Sequence, residues 1–167
     1  MPHPLNAYGA SKLAGEHAAA LAPNALIVRT QWLFGLGGRN FVQAILEAAR
    51  AGKSLRVVRD EYGCPTSTAD LAAALWRLLE THATGVVHLT NAGACSRLDL
   101  AAAALEDAGL ASVELTGIPA EEWPSPTRRP RNAVLASERT AELGIAPLRP
   151  WREALREYVS CLVARWE

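Results

Sequence analysis

The sequence predicts an α/β fold with parallel strands. Helical segments rich in alanine and leucine alternate with short apolar runs along almost the whole chain, which is the order that parallel sheets with crossover helices require. Half of the 167 residues are hydrophobic, which is enough for one substantial core. No change of composition marks a domain boundary, so we expect a single α/β unit over residues 1–167.

A proline marks the boundary between the first predicted helix and the first predicted strand. Ala7 to Leu21 has helical composition and ends before Pro23-Asn24, where a helix cannot continue. Ala25 to Thr30 (ALIVRT) is then a short buried strand, because apolar and β-branched residues dominate it.

The next helix begins after a glycine-rich loop. Gly35 to Gly38 predicts a loop, Asn40 is a suitable N-cap, and the helix runs to Ala51, where Gly52 ends it. Leu55 to Val58 is the second predicted strand.

The middle of the chain repeats this order. Asp60 to Thr66 is rich in turn residues, and Thr68 can cap a helix from Ala69 to about His82. Val86 to Leu89 predicts a third strand. Ser96, with Asp99 three residues on, predicts a capping box that opens a helix to Ala108.

The last third has less regular structure. Ser112 to Leu115 predicts a short fourth strand, and Pro119 to Pro130 carries four prolines and predicts an ordered loop. Ser137 to Leu143 and Pro150 to Arg165 are the last predicted helices.

The charge balance disfavours polyanionic partners. Lys+Arg and Asp+Glu both number 17, so we expect no nucleic acid and no membrane as a partner. Cys64, Cys95 and Cys161 are widely spaced and indicate neither a disulfide framework nor a zinc site. The first residues lack the features of a signal peptide, and no metal-ligand cluster is visible. These features favour a cytoplasmic protein.

Tyr8 and Lys12 are the residues with the clearest chemical meaning. Four residues apart on a helix, they share one face, and an ammonium beside a phenol helps the phenol to act as an acid. Reduction of a ketone by hydride needs such an acid, because negative charge develops on the carbonyl oxygen. The alternative is structural: Tyr8 packs on the core while Lys12 forms an exposed salt bridge with Glu16.

The surroundings of this pair resemble the dTDP-4-dehydrorhamnose reductase family of the extended short-chain dehydrogenase/reductase superfamily. The matching strings occur in the expected order: Tyr8 to Glu16 (YGASKLAGE), Arg29 to Gly35 (RTQWLFG), Gly38 to Val42 (GRNFV), Asp60 to Thr66 (DEYGCPT), Gly85 to Thr90 (GVVHLT) and Arg129 to Asn132 (RPRN). Two positions depart from the family pattern, since Glu61 replaces glutamine and Ala133 replaces serine.

The resemblance implies roles for six residues. Tyr8 would be the catalytic acid and Lys12 its partner, both also contacting NADPH (or NADH). Trp32 would lie beside the substrate sugar, and the loop with Arg129, Arg131 and Asn132 would approach the substrate. The residues alone leave two alternatives open: Trp32 fills space after a strand, and the arginine loop is only a solvated basic segment. His88 is expected to be a hydrogen-bonded core histidine without a catalytic role.

The resemblance also implies that part of the expected enzyme lies outside this sequence. The glycine-rich turn that binds the dinucleotide pyrophosphate should precede the Tyr-x-x-x-Lys helix. Gly35 to Asn40 imitates it, but bulky residues separate the preceding strand from Gly35, and Asn40 stands where a third glycine belongs. We therefore expect a partial Rossmann-like sheet with a small α/β substrate-binding lobe, lacking the N-terminal half of the Rossmann domain.

An isolated chain of this kind should have exposed apolar edges, bind NADPH weakly, and form a homo-oligomer or associate with a complementing N-terminal half. The expected activity is reduction of the C4 ketone of a dTDP-linked 4-keto-6-deoxysugar. Two alternatives are a related nucleotide-sugar epimerase or dehydratase and a non-catalytic nucleotide-sugar-binding subunit.

Overall fold

The computed structural model describes residues 2–166. Helices and strands alternate along this stretch, as the composition predicts. The helices are α1 (Ala7–Ala19), α2 (Phe41–Arg50), α3 (Thr68–Glu80), α4 (Arg97–Asp107), α5 (Glu138–Glu142) and α6 (Trp151–Val163), with a short 3₁₀ helix at Ala120–Glu122.

The strands are short and pair two by two. They are β1 (Leu26–Arg29), β2 (Leu33–Phe34), β3 (Leu55–Val58), β4 (Tyr62–Gly63), β5 (Thr66–Ser67), β6 (Gly85–His88), β7 (Asn91–Ala92), β8 (Cys95–Ser96), β9 (Leu115–Ile118) and β10 (Leu148–Pro150). The pairs β1–β6, β2–β5, β3–β9 and β7–β10 are parallel, while β4–β8 is antiparallel. The α/β class is therefore confirmed, with one antiparallel pair among the parallel ones.

Local capping chemistry was predicted with one error. Asn40 caps α2, since its Oδ1 accepts from the Gln43 amide at 3.1 Å. Ser96 and Asp99 form the predicted capping box of α4. The cap of α3 is Ser67 instead of Thr68, because the Ser67 hydroxyl faces the Asp70 amide.

The fourth predicted strand lies later than expected. Strand β9 begins at Leu115, which pairs with Leu55 of β3, and the preceding residues turn, with the Val113 amide donating to Leu110. Parallel pairing with β3 decides where this strand begins, and that partner is about 60 residues away in the sequence. The sequence near Ser112 carries no information about it.

The largest core lies among α2, α4 and α6. Each helix contributes a buried stripe, including Leu46, Leu100 and Leu155, and the Phe34 ring packs against Tyr158 with centroids 5.5 Å apart. A smaller pair of clusters forms where α3 covers β6, around Leu78 and Leu89. Strands β3 and β9 run beside the first core, and β1 and β6 run beside the others.

Helix α1 lies on the surface of this arrangement. None of its residues is buried, and β1, which it contacts, is only half-buried. The main link is an ion pair in which Arg29 donates to Glu16 at 2.7 and 2.6 Å. The predicted exposure of apolar side chains near α1 and β6 is confirmed, since Leu21 is 87% and Val86 is 37% exposed.

Three general properties complete the description. Within residues 2–166, no helix combines the length and apolarity needed to cross a bilayer. The same residues contain no group of three or more His, Cys, Asp or Glu side chains arranged to hold a metal ion. All three cysteines are free thiols.

Candidate active site

The Tyr8–Lys12 pair lies on the exposed face of α1. Asn6 starts this helix, because its Oδ1 accepts from the Gly9 amide at 2.8 Å. Tyr8 is 70% exposed, and the Lys12 ammonium lies over its ring, 5.4 Å from the centroid. The phenol and the ammonium are thus side by side and open to a ligand.

The structural alternative for this pair is wrong on both counts. Tyr8 does not pack on the core, and Glu16 bonds to Arg29 instead of Lys12. Lys12 forms no ion pair with any residue in the range 2–166. The i, i+4 spacing alone favoured the Lys12–Glu16 bridge, but the neighbouring strand β1 provides Glu16 with a bidentate partner.

Trp32 is held in an unusual conformation beside the pocket region. Its φ is +48°, a left-handed value that side chains other than glycine seldom adopt. The Thr66 amide donates to the Trp32 carbonyl at 3.2 Å, and a Cβ at Gly63 would lie 2.6 Å from the indole Cε2. Gly63 is therefore required for the close approach of β4 to this ring.

The Asp60–Thr66 segment has the structural role that its turn residues indicated. Asp60 Oδ1 accepts from the Ala120 amide at 2.9 Å, and the Thr66 hydroxyl donates to the Cys64 carbonyl at 3.1 Å. The segment also forms β4 and β5, which the sequence did not predict as strands. Gly63 of this segment packs against the Trp32 ring, and Asp60 holds the loop after β9.

The glycines of Gly35–Gly38 serve packing and turning. A Cβ at Gly35 would lie 1.8 Å from the Thr68 hydroxyl, and Gly37 has a φ of +90°. Asn40 Nδ2 donates to the Gly35 carbonyl at 3.1 Å, to the Gly38 carbonyl and to the Tyr158 hydroxyl. Asn40 and Thr68 therefore close the loop, which supports the rejection of a dinucleotide fingerprint here.

A pocket of about 880 Å³ lies between α2, β3 and the loop that follows β9. This volume is in the range of small-molecule sites. Its walls include five arginines and two glutamates, together with apolar side chains such as Phe41, Ile45 and Trp123. Such a lining suits a ligand with an apolar or aromatic part and negative charge.

The predicted arginines face this pocket in different states. Arg131 is paired with Asp60 and Glu121, so its charge is compensated and it holds the loop in place. Arg129 is exposed and forms no ion pair with any described residue. The alternative of a solvated basic loop stays open, because Arg129 and Arg131 are both exposed, although Arg131 is paired and both residues line one pocket.

Asn132 has a local structural contact. Its Oδ1 accepts from the Val134 amide at 3.0 Å, and its backbone bridges to Tyr62. It is not among the residues that line the large pocket, and neither are Tyr8, Lys12 and Trp32. A link between the two regions exists nevertheless, since Asn6 Nδ2 at the start of α1 donates to the Arg128 carbonyl at 2.7 Å.

Arg97 is the site residue that sequence reasoning missed. It lines the pocket, and its guanidinium lies 3.7 Å from the Trp32 ring centroid and 5.1 Å from that of Phe41. Burial lowers the pKa of Arg97 to about 10, with Glu61 opposing and Arg129 adding to this shift. No local signal could have found it, because Arg97 and Trp32 meet only through the β4–β8 pairing.

Other polar groups complete the surroundings. Among the described residues, Thr30 Oγ1 and Gln31 Oε1 are buried without a hydrogen-bond partner, and both directly precede Trp32. His88 Nδ1 is 3.0 Å from the Ala136 carbonyl, which must accept. This fits the predicted structural role for His88, although the side chain is only half-buried.

Parallel strand pairs with covering helices define the class of the fold, a Rossmann-like α/β unit, and the exposed Tyr-x-x-x-Lys helix and the arginine-lined pocket are its candidate site. Residues 1–163 match the family described as the RmlD substrate binding domain. The chain belongs to this family.

Known relatives agree with this assignment. The chain is 43% identical, over 93% of its length, to the spore coat polysaccharide biosynthesis protein SpsK of Bacillus subtilis, and 40% identical, over 96% of its length, to a dTDP-4-dehydrorhamnose reductase of Mycolicibacterium smegmatis. It covers 54% and 50% of these two proteins. The chain therefore spans about half the length of the curated relatives that it matches.

A solved structure shares the fold. The dTDP-4-dehydrorhamnose reductase of Bacillus anthracis, determined in complex with NADP, superimposes with a TM-score of 0.90 at 32% identity. The match covers 94% of this chain and 56% of that one.

Proposed function

We propose that this chain supplies the proton donor and the substrate-binding lobe of an NADPH-dependent reductase acting on the C4 ketone of a dTDP-linked 4-keto-6-deoxysugar. The observation that carries the proposal is the exposed Tyr8 with the Lys12 ammonium over its ring. Family membership supports the substrate class, since similar proteins are named as dTDP-sugar reductases.

Tyr8 and Lys12 suit the nicotinamide-ribose end of the cofactor. NADPH supplies a hydride to the carbonyl carbon when it is bound. The Tyr8 hydroxyl donates its proton to the carbonyl oxygen as charge develops there, and the Lys12 ammonium stabilises the phenolate left behind. The Lys12 side chain has further donors for a ribose hydroxyl. Both side chains are exposed in the described structure, so a ligand reaches them without rearrangement.

The nucleotide end of the substrate belongs in the pocket of about 880 Å³. The aromatic and apolar side chains there suit a thymine base and a deoxyribose, while the arginines suit a diphosphate. Arg129 is available for this contact, whereas Arg131 orders the loop through Asp60 and Glu121. Trp32 would lie beside the sugar. The predicted contact of Asn132 with substrate stays a prediction.

Cofactor binding by these 167 residues alone should be weak. Within residues 2–166, the one glycine-rich loop before a helix is closed by Asn40 and Thr68, which leaves no cradle for a pyrophosphate. The exposed face of α1 and the edge of β6 would be covered by a second copy or by a complementing cofactor-binding half. Three free thiols are consistent with work in the cytoplasm.

A titration with NADPH tests the cofactor part. Fluorescence of NADPH is followed as the 167-residue chain is added, alone and together with the N-terminal half of a family reductase. Weak binding alone and tight binding in the mixture are expected. Micromolar binding by the chain alone, with turnover, would show that no complementing half is needed.

A rate measurement tests the role of Tyr8. NADPH oxidation with the 4-keto sugar is measured in the reconstituted mixture for wild type, Tyr8→Phe and the matched control Tyr62→Phe, which removes a hydroxyl from the other largely exposed tyrosine. Tyr8→Phe should lose about 100-fold or more in kcat, and Tyr62→Phe should be unchanged. Retained kcat in Tyr8→Phe contradicts the proton-donor role. Epimerised sugar without net NADPH consumption would indicate the epimerase alternative.

A further inference from the structure

Arg97 is a charged side chain in an unusual position. It is the first residue of α4, fixed by the capping box of Ser96 and Asp99, and its own amide donates to the Glu61 carbonyl at 3.1 Å. The backbone that carries Arg97 is therefore rigid, and the direction of its side chain is set by the fold and not by solvent.

The guanidinium lacks a conventional partner. It forms no hydrogen bond or ion pair with a side chain in the described range, whereas Arg56 and Arg131 of the same pocket are paired with carboxylates. It lies instead against two aromatic faces, 3.7 Å from the Trp32 centroid and 5.1 Å from the Phe41 centroid. A guanidinium stacked on an indole keeps its N–H donors free at the edge of the plane, where they point away from the ring.

The pocket gives those donors a place to act. Arg97 and Arg129 both line it, and Arg56, Arg128 and Arg131 add to the positive charge of its walls. Glu61 and Glu121 are the carboxylates on the same walls; Glu121 is bound to Arg131, and Glu61 is buried close to Arg97. The excess of arginine leaves the pocket suited to an anion that accepts several hydrogen bonds.

The position of Trp32 depends on the same contact. Its left-handed φ of +48° is costly, and the ring is in close contact both with Gly63 and with the Arg97 guanidinium. An anion that binds the guanidinium from the pocket would hold Arg97, and with it the indole stacked on it, in this arrangement.

We propose that Arg97 is a positioning and specificity residue, which binds an anionic diphosphate from the pocket side and thereby fixes Trp32 for the sugar. The ligand class is a nucleoside diphosphate or its diphosphate part. This inference rests on the proposed function for the identity of the sugar site, but the anion contact and the Trp32 coupling stand on the geometry of Arg97 alone.

Direct binding tests the anion contact without turnover. Calorimetric titrations of the 167-residue chain with dTDP, inorganic pyrophosphate and the uncharged thymidine compare wild type with Arg97→Met and Arg97→Lys. The matched control is Arg77→Met, since Arg77 is an exposed arginine of α3 that does not line the pocket. Arg97→Met should weaken the binding of dTDP and pyrophosphate by about 10-fold or more and leave thymidine binding unchanged, because charge-assisted hydrogen bonds are lost. Arg77→Met should change dTDP binding by less than about 2-fold.

Tryptophan fluorescence tests the coupling to Trp32. Trp123→Phe removes the tryptophan that lines the pocket, and in this background pyrophosphate should change the tryptophan emission of the protein that keeps Arg97 and Trp32. This change should vanish in Trp32→Phe and in Arg97→Met. Arg97→Lys should keep anion binding within about 5-fold but lose the emission change, because lysine has no planar group to stack on the indole. If Arg97→Met does not fold, the Arg97→Lys variant alone tests whether the stacked guanidinium couples anion binding to Trp32.

The outcomes separate this inference from the proposed function. If wild type binds dTDP and both Arg97 variants bind it equally well with the same emission change, the inference is overturned and the reductase proposal stands. If pyrophosphate binds through Arg97 but dTDP does not bind more tightly, Arg97 is an anion site and the nucleotide substrate class is wrong. If neither probe binds wild type, the inference is overturned.

Discussion

Replacement of Gly63 by alanine should damage both the stability and the site. The new Cβ would lie 2.6 Å from Trp32 Cε2, 2.8 Å from Cζ2 and 2.8 Å from Gln31 Oε1, against 3.4 Å for an ordinary contact. The indole would have to retreat by about 0.8 Å. It cannot do so freely, because Arg97 stacks on its face and the Thr66 amide holds its backbone.

The expected cost is that of overpacking a closely packed site. Gly63→Ala should lower the free energy of unfolding by about 1–3 kcal/mol, after the smaller gain that alanine gives by restricting the unfolded chain. Urea unfolding followed by circular dichroism measures this cost, and the tryptophan emission of the native state reports the displaced indole.

A second glycine serves as the control. Gly15 on α1 has no atom within 4 Å of a built Cβ, so Gly15→Ala should stabilise the helix by about 0.5–1 kcal/mol. Both changes add one methyl group, but only at Gly63 would that group meet packed side chains. If Gly63→Ala unfolds at the same urea concentration as wild type and keeps its emission spectrum, the reasoning about Trp32 is refuted.

Two further changes test the electrostatics and the capping. The hydrogen bond from Arg29 holds the pKa of Glu16 below its ordinary value of 4.5, so the stability that this pair contributes is complete above pH 4.5 and is lost as the pH falls through the lowered value. Glu16→Gln should therefore lower the melting temperature at pH 7. The melting temperature of this variant should also fall less steeply than that of wild type between about pH 5 and pH 3, and an equally steep fall would show that the Glu16–Arg29 pair does not contribute this stability. Ser96→Ala removes both hydroxyl bonds of the α4 capping box and should cost about 1 kcal/mol in urea unfolding, whereas an unchanged midpoint would show that the cap is dispensable.

The fold was largely predictable because its signals are local. The N-caps Asn40 and Ser96, the turn at Gly52 and the β-branched run of β3 depend on neighbours within a few residues, and all four lie where the sequence places them. The errors have a non-local cause. Strand β9 is displaced because it follows the register of β3, and the two-residue strands form only where distant segments meet.

The candidate site divides in the same way. Tyr8 and Lys12 share one helix, so their spacing was enough to predict that they meet, and α1 places them together. The alternative salt bridge between Lys12 and Glu16 was wrong, because Glu16 pairs with Arg29 of strand β1. Substrate binding by Arg131 stays a prediction; only the structure shows that Asp60 and Glu121 approach it from two other segments and pair with it.

The sequence by itself determined the α/β class, most helix boundaries and the meeting of Tyr8 with Lys12, because each depends on contacts within about one or two turns of chain. Only the tertiary structure decided which pocket arginines are compensated by carboxylates. Arg97 meets Trp32 through the pairing of β4 with β8, which joins segments more than 30 residues apart. Burial, charge compensation and stacking arise only when such segments pack together. Carboxylates compensate Arg56 and Arg131, whereas Arg97, Arg128 and Arg129 form no ion pair with any described residue, and of these three Arg97 is the one that stacks on Trp32.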